Sequence, residues 1–266
     1  MQEKDIILIK DNIISLARQE LVPRFAQVTH EHKADGSIVT EADIVMQTAV
    51  IDFLQQHWPD IPVLGEEMST ATQQALIDGD GHYWCLDPLD GTSNFAAGLP
   101  YFCTSLALVN HGRCQFALIY DPIRDECFTA TDAGPATLNA ERLNLDIAAW
   151  PLNQAIAFID LKRLPSHLAM QLVSRPPFAS QRNFGSGALD WAWLAAGRFH
   201  YYLHGGQKLW DYTAGELILR QAGGVATTFS KEPVTCHQLT PRSICASINA
   251  TAQATWLGYV QSILDQ

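Results

Sequence analysis

The sequence is poor in basic residues for its length. Its 266 residues include 17 lysines and arginines against 28 aspartates and glutamates, a formal net charge of −11. A nucleic-acid-binding surface needs clustered lysine and arginine to neutralise phosphates, so this balance argues against one. An acidic chain of this kind is better suited to holding cations.

Other features are missing as well. No apolar run approaches the roughly 20 residues of a membrane span, and the stretch MQEKDIILIKDN is too acidic and interrupted for a signal peptide. We therefore expect a cytoplasmic protein that does not enter a membrane. The six cysteines show neither a C-x-x-C pair nor a zinc-like spacing, which predicts reduced thiols buried in the core.

The pattern of apolar residues predicts a mixed α and β protein. Helical periodicity covers residues 3–25 and the stretch that begins VTEAD. IPVLGEE and HYWCLDPL are typical of strands, and residues 102–131 predict an antiparallel meander. After a looser stretch, strands and helices alternate. These features predict two lobes, an N-terminal one at 1–140 and a C-terminal one at 141–266.

Acidic residues stand at the ends of two predicted strands. Glu66 lies at the end of IPVLGEE, and Asp87 and Asp90 lie at the end of YWCLDPLD. Because Pro88 favours an extended conformation for Asp87, and because an Asp-Gly pair follows, we expect the chain to leave the sheet at Asp87. It would then turn and begin a short helix near Thr92.

Residues 87–94, DPLDGTSN, have groups that bind cations and groups that bind an anion. Both aspartates and the Leu89 carbonyl would point into one pocket, with hard oxygen ligands that suit magnesium or manganese rather than zinc. An ordinary surface turn is the alternative interpretation of D-P-x-D-G. Three features favour phosphoryl transfer instead. The flanks of the segment are apolar, and a second acid pair, Glu66 and Glu67, ends a neighbouring strand. A helix N-terminus at GTSN also offers N–H groups that favour phosphate.

Two further acids stand near predicted helix starts. In SIVTEAD, Thr40 and Asp43 are three residues apart, and in KLWDYTAGELILRQAGG, Asp211 stands just before the predicted helix. Spacing alone favours helix capping in both places. A catalytic or metal-binding role is the alternative.

Together, these segments resemble the inositol monophosphatase family of magnesium-dependent, lithium-sensitive phosphatases. The matching segments are GEE at 65–67, DPLDGTSNF at 87–95 and WDYTAGELILRQAGG at 210–224, and KADGSIVTEAD at 33–43 matches less strictly. The resemblance runs over nearly the whole chain. It implies an α/β protein of the layered α+β kind, an α-β-α-β-α sandwich with two lobes, an active site between them and a homodimer.

Position by position, the resemblance implies ligands for two or three magnesium ions, which manganese can replace. Glu66, Asp87 and the Leu89 carbonyl would hold one ion, so that Glu66 takes part in catalysis. Asp87, Asp90 and Asp211 would hold a second. Paired ions of this kind lie roughly 3.5 to 4 Å apart, activate water and clamp the attacking and leaving oxygens.

The resemblance also implies a phosphate site and a means of handling the proton of the attacking water. Gly91 and Thr92 would bind phosphate through backbone N–H groups. Thr92 would help to position the water, with Asp43 and Thr40 behind it as a proton-handling pair, and Glu67 would support the glutamate before it. No cysteine or histidine stands in a nucleophile motif, so a covalent phosphoenzyme is not expected.

The metal motif leaves the alcohol of the substrate open. The family also hydrolyses histidinol phosphate, fructose 1,6-bisphosphate and 3'-phosphoadenosine 5'-phosphate, although DGTSNF resembles the inositol-phosphatase branch. FGSGALD resembles the loop that meets substrate hydroxyls through Gly185, Ser186 and Gly187. The family glutamate before the W-D pair is replaced by Leu203 or His204. His204 would favour a different polyol or an additional anionic group.

The sequence thus predicts a magnesium-dependent phosphomonoesterase for a small phosphorylated polyol similar to inositol monophosphate. The expected partners are that substrate and a second copy of the chain, without nucleic acid or membrane. A regulatory protein that keeps the fold without catalysis is one alternative, against which the complete set of metal positions argues. A calcium-dependent structural module is another, and it would need an EF-hand-like spacing that the sequence lacks.

Overall fold

The computed structural model describes residues 1–27, 38–79, 81–146, 148 and 150–265, together with the backbone of 30–32. Its helices are α1 (Glu3–Leu16), α2 (Glu41–His57), α3 (Thr70–Asp78), α4 (Thr92–Ala97), α5 (Ser166–Ser174), α6 (Gly187–Ala195), α7 (Leu209–Ala222) and α8 (Ala250–Leu264). A π-helical turn at Ala17–Leu21 and a 3₁₀ turn at Val22–Arg24 extend α1, and further 3₁₀ turns occupy Leu152–Gln154 and Leu161–Arg163.

The strands form two large sheets and one small pair. The small pair is β1 (His30–His32) with β2 (Ile38–Thr40). The first large sheet contains β3 (Val63–Gly65), β4 (His82–Asp90), β5 (Cys103–Asn110), β6 (Arg113–Asp121), β7 (Glu126–Thr131), β8 (Thr137–Leu138) and β9 (Glu141–Arg142), in chain order. The second contains β10 (Ile156–Asp160), β11 (Ser180–Arg182), β12 (Tyr201–Gln207), β13 (Val225–Thr227) and β14 (Arg242–Ser247), in the order β11-β10-β12-β14-β13.

The seven-stranded sheet is a meander. Each strand from β4 to β8 pairs antiparallel with the next strand in the chain, and β3 pairs parallel with β4. The meander predicted at 102–131 is therefore confirmed, and β8 and β9 continue it into the stretch that the sequence shows as loose. In the five-stranded sheet β10, β11 and β12 run parallel, while β14 pairs antiparallel with both of its neighbours.

Helices and sheets alternate in five layers. Helices α1 and α2 cover one face of the seven-stranded sheet, α6 and α7 lie between the two sheets, and α5 and α8 cover the far face of the five-stranded sheet. This order confirms the predicted α-β-α-β-α sandwich. The lobe boundary between residues 140 and 141 stays a prediction. No helix in the described part of the chain is long and apolar enough to cross a membrane.

Strand β4 shows why the central strands are apolar on both faces. Trp84 and Leu86 pack into the core beneath α1 and α2, whereas Tyr83 and Cys85 pack into the core around α6 and α7. Alternate side chains of a strand point to opposite faces, so a sheet covered on both sides needs a continuous apolar run. The six cysteines are buried and free, as the sequence predicts.

Helices α6 and α7 approach each other closely at Gly215, which predicts a large cost for any side chain there. A Cβ added at Gly215 would lie 2.2 Å from the Cβ of Trp191. We expect Gly215→Ala to lower the free energy of unfolding by about 2 kcal/mol, because a close-packed core resists overpacking. Denaturant titration measures this change.

The matched control is Gly258→Ala on the exposed side of α8. A Cβ added there meets nothing within 4 Å. This substitution should raise the free energy of unfolding by about 1 kcal/mol, since alanine is the better helix former. Equal effects of the two substitutions would contradict the close approach of α6 and α7.

Candidate active site

A bulge in β4 brings Asp87 and Asp90 to the same side of the sheet. Residues three apart on a regular strand point to opposite faces, but here β4 advances three residues while β5 advances two. The extra residue falls at Pro88 and Leu89, where proline has no N–H to donate and Thr104 donates to the Pro88 carbonyl at 2.9 Å. The expectation that the chain leaves the sheet at Asp87 is therefore wrong, because β4 continues to Asp90.

Helix α4 begins directly after the bulge, as predicted. Gly91 precedes it with φ 95°, a left-handed conformation that favours glycine. A Cβ at Gly91 would also lie 3.0 Å from the Tyr101 carbonyl oxygen. Gly91, Thr92 and Ser93 line the site, and the N–H groups of a first helical turn have no acceptor within the helix.

Asp87, Asp90 and Asp211 form the centre of the site. One carboxylate oxygen of each lies within 4.8 Å of the others. Asp211 is the third residue of α7 rather than the residue before it, which corrects the position predicted from the sequence. Its Oδ2 accepts the backbone N–H of Lys208 at 3.1 Å. Asp211 therefore caps the helix and faces the other two aspartates at once.

Burial and mutual repulsion raise the pKa values of these carboxyls. Burial raises the pKa of Asp87 well above its usual value, and the negative charges around it add to the effect. Burial raises the pKa of Asp90 to about 6 against the opposing hydrogen bond from Ser186. The pKa of Asp211 is also raised well above its usual value, by burial and then by Asp90. A cation in the cluster would counter the repulsion.

The start of α6 holds Asp90 in place. Ser186 Oγ and the Ala188 N–H both donate to Asp90 Oδ2, at 2.7 Å and 2.6 Å. Ser186 is fully buried, so its hydroxyl meets this carboxylate rather than the cleft. Of the three loop residues predicted to meet substrate, Gly185 lines the cleft, while Ser186 and Gly187 lie behind it. The spacing in the sequence has no signal for the hydrogen bond between Ser186 and Asp90.

Thr92, Asp43 and Thr40 form a hydrogen-bonded chain at the edge of the site. Thr92 Oγ1 lies 2.9 Å from both Asp43 Oδ1 and the Leu89 carbonyl oxygen. Asp43 Oδ2 accepts the Thr40 N–H at 2.7 Å and the Thr40 hydroxyl at 2.6 Å. Burial raises the pKa of Asp43 against these hydrogen bonds. Asp43 thus caps α2, as its spacing predicts, and also contacts Thr92. Residues 33–37 of the same motif lie outside the described residues.

Glu66 faces the cleft from the end of β3. Its carbonyl accepts a hydrogen bond from the Gln73 side chain at 3.2 Å, and the N–H of Glu67 donates to Gln47 Oε1 at 3.3 Å. The Lys208 ammonium lies 3.6 Å from Glu66 Oε1. Lys208 does not stand out in the sequence, although it lies three residues before Asp211.

The site residues line a cleft of about 160 Å³. The predicted residues in its lining are Glu66, Asp87, Leu89, Asp90, Gly91, Thr92, Gly185 and Asp211. Arg163 and Lys208, two cations that no motif in the sequence indicates, line it as well. Carboxylate and carbonyl oxygens grouped in this way fit magnesium or manganese.

His204 lies beneath the cleft rather than in its lining. Its Nδ1 accepts the Gly206 N–H at 3.1 Å, its Nε2 lies 3.4 Å from Asp160 Oδ2, and burial lowers its pKa. Leu203, the other candidate for this position, is fully buried in the core. Arg163 Nε lies 3.6 Å from the same Asp160 oxygen, and Arg163 lines the cleft. His204 therefore reaches the cleft only indirectly.

The raised pKa values predict that magnesium stabilises the protein more at pH 7 than at pH 5. A carboxyl whose pKa is raised on folding binds its proton more tightly in the folded state, so stability falls as pH rises from about 4 toward the folded pKa. Near pH 5 protons already relieve the repulsion. At pH 7 we expect a rise in melting temperature of about 4 °C for an ion at about ten times its dissociation constant. Melting curves at both pH values measure it, and indifference to millimolar magnesium would contradict the site.

Comparison with known proteins identifies relatives over the full length of the chain. A model of the inositol monophosphatase family matches residues 3–264. Nus factor SuhB of Pasteurella multocida is 37% identical over 203 residues, 74% of this chain and 74% of the relative. The IMPase of Thermotoga maritima has a TM-score of 0.84 at 26% identity, covering 100% of this chain and 99% of that one.

A further solved structure shows the same fold. It is an IMPase/NADP phosphatase complexed with Mg²⁺ and phosphate, with a TM-score of 0.82 over 99% of this chain and 94% of that one. Its identity to this chain is 23%. At that level the likeness concerns the fold alone.

Proposed function

The chain belongs to the inositol monophosphatase family, and from this premise we propose that it is a magnesium-dependent phosphomonoesterase for a small phosphorylated polyol. The observation that carries the proposal is the group formed by Asp87, Asp90 and Asp211, with one oxygen of each within 4.8 Å of the others. Carboxylates crowded in this way, with raised pKa values, favour a cation among them.

We assign the cations to the residues that the family resemblance implies. Asp87, Asp90 and Asp211 would hold one ion, and Glu66, Asp87 and the Leu89 carbonyl another. Bound magnesium would supply positive charge to the phosphoryl oxygens and lower the pKa of a water molecule. The protein holds the ligands rigidly, because the β4 bulge orients Asp87 and Asp90 and the first turn of α7 orients Asp211.

Thr92 and Asp43 would orient the attacking water and take its proton. The Thr92 hydroxyl lies 2.9 Å from Asp43 Oδ1, so it can donate to that carboxylate while its own oxygen accepts a hydrogen bond from water. The raised pKa of Asp43 makes this carboxylate a better proton acceptor than an exposed aspartate. The N–H groups at Gly91 and Thr92 would donate to the phosphate oxygens.

Two substitutions at Thr92 distinguish the role of its hydroxyl from the role of the rest of the side chain. Thr92→Val keeps the shape but removes the donor to Asp43, and we expect turnover to fall about 100-fold. Thr92→Ser keeps the hydroxyl and should stay within about threefold of wild-type turnover. Turnover at saturating magnesium measures both. Equal losses in the two variants would exclude the hydroxyl from the mechanism.

The cleft supports a small substrate that carries anionic charge. Its volume is about 160 Å³, and Arg163 and Lys208 add positive charge to its lining. The carboxylate that meets a ring hydroxyl in inositol phosphatases is replaced by Leu203 or His204, both of which are buried. We propose an inositol monophosphate-like substrate, with histidinol phosphate, fructose 1,6-bisphosphate and 3'-phosphoadenosine 5'-phosphate as the alternatives.

A phosphate-release screen tests the proposal. It uses inositol monophosphates and the three alternatives, each over a magnesium series, with the wild-type protein and Asp87→Asn as the inactive control. We expect release from at least one substrate that depends on magnesium and is lost in the variant. Release that is independent of magnesium, or equal in both proteins, would overturn the proposal.

A second candidate function is regulatory. The relative from Pasteurella multocida is named a Nus factor, and a role of that kind needs no catalysis. If magnesium raises the melting temperature but no substrate in the screen is hydrolysed, the regulatory function is the better one. We also propose a homodimer, which sedimentation velocity tests.

A further inference from the structure

Asn94 is a buried amide that joins the first turn of α4 to two other segments of the site. It lies two residues after Thr92, and 8% of its surface is exposed. Its Nδ2 donates to the Tyr101 carbonyl oxygen at 2.7 Å and to the Phe184 carbonyl oxygen at 2.6 Å. Both partners are acceptors, so the NH₂ group and not the amide oxygen faces them. One side chain thus uses both of its N–H donors on backbone carbonyls.

The loop at 183–186, between β11 and α6, places two groups of the proposed site. Gly185 lines the cleft, and Ser186 donates to Asp90 Oδ2 at 2.7 Å. Gly185 has φ 80°, and a Cβ added there would lie 3.5 Å from both polar atoms of the Asn94 amide. The loop backbone therefore lies against this amide, and a contact that fixes the loop also fixes Gly185 and Ser186.

The same three segments meet at Gly91, where the phosphate would bind. A Cβ added at Gly91 would lie 3.0 Å from the Tyr101 carbonyl oxygen and 3.1 Å from the Ser186 Cβ. The turn before α4, the segment before β5 and the 183–186 loop are therefore closely packed. Asn94 adds directional hydrogen bonds to this packing, so it fixes orientation as well as distance.

Packing of the Phe184 ring should keep the fold when the amide is removed. The ring lies 4.9 Å from the Tyr101 ring and 5.1 Å from the Phe158 ring, measured between centroids. These contacts hold the side chain of Phe184, whereas its carbonyl is oriented by the hydrogen bond from Asn94. Loss of the amide would leave two carbonyls without this donor and would change the loop more than the core.

We propose that Asn94 is a positioning residue for the reaction, which orients the 183–186 loop so that Gly185 lines the cleft and Ser186 holds Asp90. The inference rests on the proposed function, because Asp90 is one of the proposed cation ligands. Asn94 acts on that ligand indirectly, through Ser186. Its removal should therefore loosen Asp90 although Ser186 and Asp90 are unchanged.

The first test is hydrogen–deuterium exchange of the magnesium-free protein, which reports on the loop without any activity. The Ala188 N–H donates to Asp90 Oδ2 at 2.6 Å. We expect Asn94→Ala to speed exchange at this N–H and at the N–H groups of 183–186 about tenfold, because the loop opens more often. Unchanged exchange would overturn the proposal.

The second test is a double-mutant cycle on turnover at saturating magnesium. Asn94→Ala and Ser186→Ala should each lower turnover about tenfold. The double variant should lose no more than about twentyfold, because the second substitution removes an interaction that the first has already weakened. Losses that multiply to about a hundredfold would contradict an action through Ser186, and so would wild-type turnover of Asn94→Ala.

A second substitution at Asn94 distinguishes hydrogen bonding from the filling of space. Asn94→Leu keeps the size of the side chain but donates no hydrogen bond, so its turnover should be as low as that of Asn94→Ala. Recovery of turnover in Asn94→Leu would show that Asn94 only fills space. If neither variant folds in melting experiments, Asn94 serves folding and the positioning role is wrong.

The matched control is a buried amide far from the cleft. Gln253 on α8 donates through Nε2 to the Cys245 carbonyl oxygen at 2.9 Å. Gln253→Ala should lower the melting temperature but leave turnover and exchange of the 183–186 loop unchanged. Equal losses of turnover in Gln253→Ala and Asn94→Ala would reduce the effect of Asn94 to stability, against the proposal.

The two tests also distinguish this inference from the proposed function. If Asn94→Ala speeds loop exchange but neither it nor the wild type releases phosphate from any substrate, the hold of Asn94 on the loop stands and the phosphatase proposal fails. If the wild type releases phosphate and Asn94→Ala equals it in turnover and exchange, the phosphatase proposal stands and the role of Asn94 fails.

Discussion

Asp90→Asn should lower phosphate release by about a thousandfold while leaving the protein folded, a loss of about 4 kcal/mol of transition-state stabilisation. Asp90 Oδ2 accepts hydrogen bonds from Ser186 and from the Ala188 N–H. The amide oxygen of asparagine can accept both. The other carboxylate oxygen becomes an NH₂ group, which carries no charge and repels a cation.

The control for Asp90→Asn is a buried aspartate outside the cleft. Asp121 is fully buried on β6, accepts the N–H groups of Ile123 and Arg124, and pairs with the Arg124 side chain at 2.8 Å. We expect Asp121→Asn to lower the melting temperature and to keep wild-type turnover. Turnover and melting curves, measured for both variants, distinguish a loss of catalysis from a loss of stability. Wild-type turnover in Asp90→Asn would remove Asp90 from the mechanism.

Asp211→Asn should lower turnover by about a hundredfold or more, on the order of 3 kcal/mol, and raise the magnesium concentration needed for activity. Asp211 caps α7 by accepting the Lys208 N–H. Asparagine keeps an acceptor for this N–H, so the helix start should survive. The cation site loses a charged oxygen, and that loss should appear in kinetics across a magnesium series.

Asp211→Ala separates capping from metal binding. It removes both the acceptor and the charge, so we expect the same loss of activity as in Asp211→Asn together with about 1 kcal/mol less stability. If capping were the only role of Asp211, Asp211→Asn would have nearly normal turnover and nearly normal stability. Asp211→Ala would then be less stable but still active. Near-normal activity of Asp211→Asn at ordinary magnesium would therefore remove Asp211 from the ligand set.

Local patterns predict much of the fold because local physics decides it. The stripe on α1, the end of α2 before Pro59 and the apolar runs of β4 to β7 all follow from which side chains must be buried. The order of the five layers was an expectation from family resemblance, since periodicity within one element does not say which element covers it. The short strand β11 has the sequence SQR, in which no apolar residue predicts a strand, whereas β3, equally short, lies in an apolar run.

The sequence by itself indicated the acidic ligands and the N–H groups of the site. These groups are local features of the sequence: Asp87 and Asp90 at the end of an apolar strand, Gly91 before a short helix, and Asp211 near the start of α7. The sequence alone shows what each group can bind, because carboxylate oxygens bind cations and free N–H groups bind phosphate wherever they converge.

Only the tertiary structure decided how those groups are oriented and what stands beside them. The β4 bulge turns Asp87 and Asp90 to one side, Ser186 is turned inward to Asp90, and His204 is buried beneath the cleft. Lys208 and Arg163 come into the cleft from segments far from the aspartates of β4. Ser186 contacts Asp90 across 96 positions of the sequence. The pairing of β4 with β5 and the packing of α6 and α7 set these orientations. No local pattern encodes such distances, because they depend on how the layers stack.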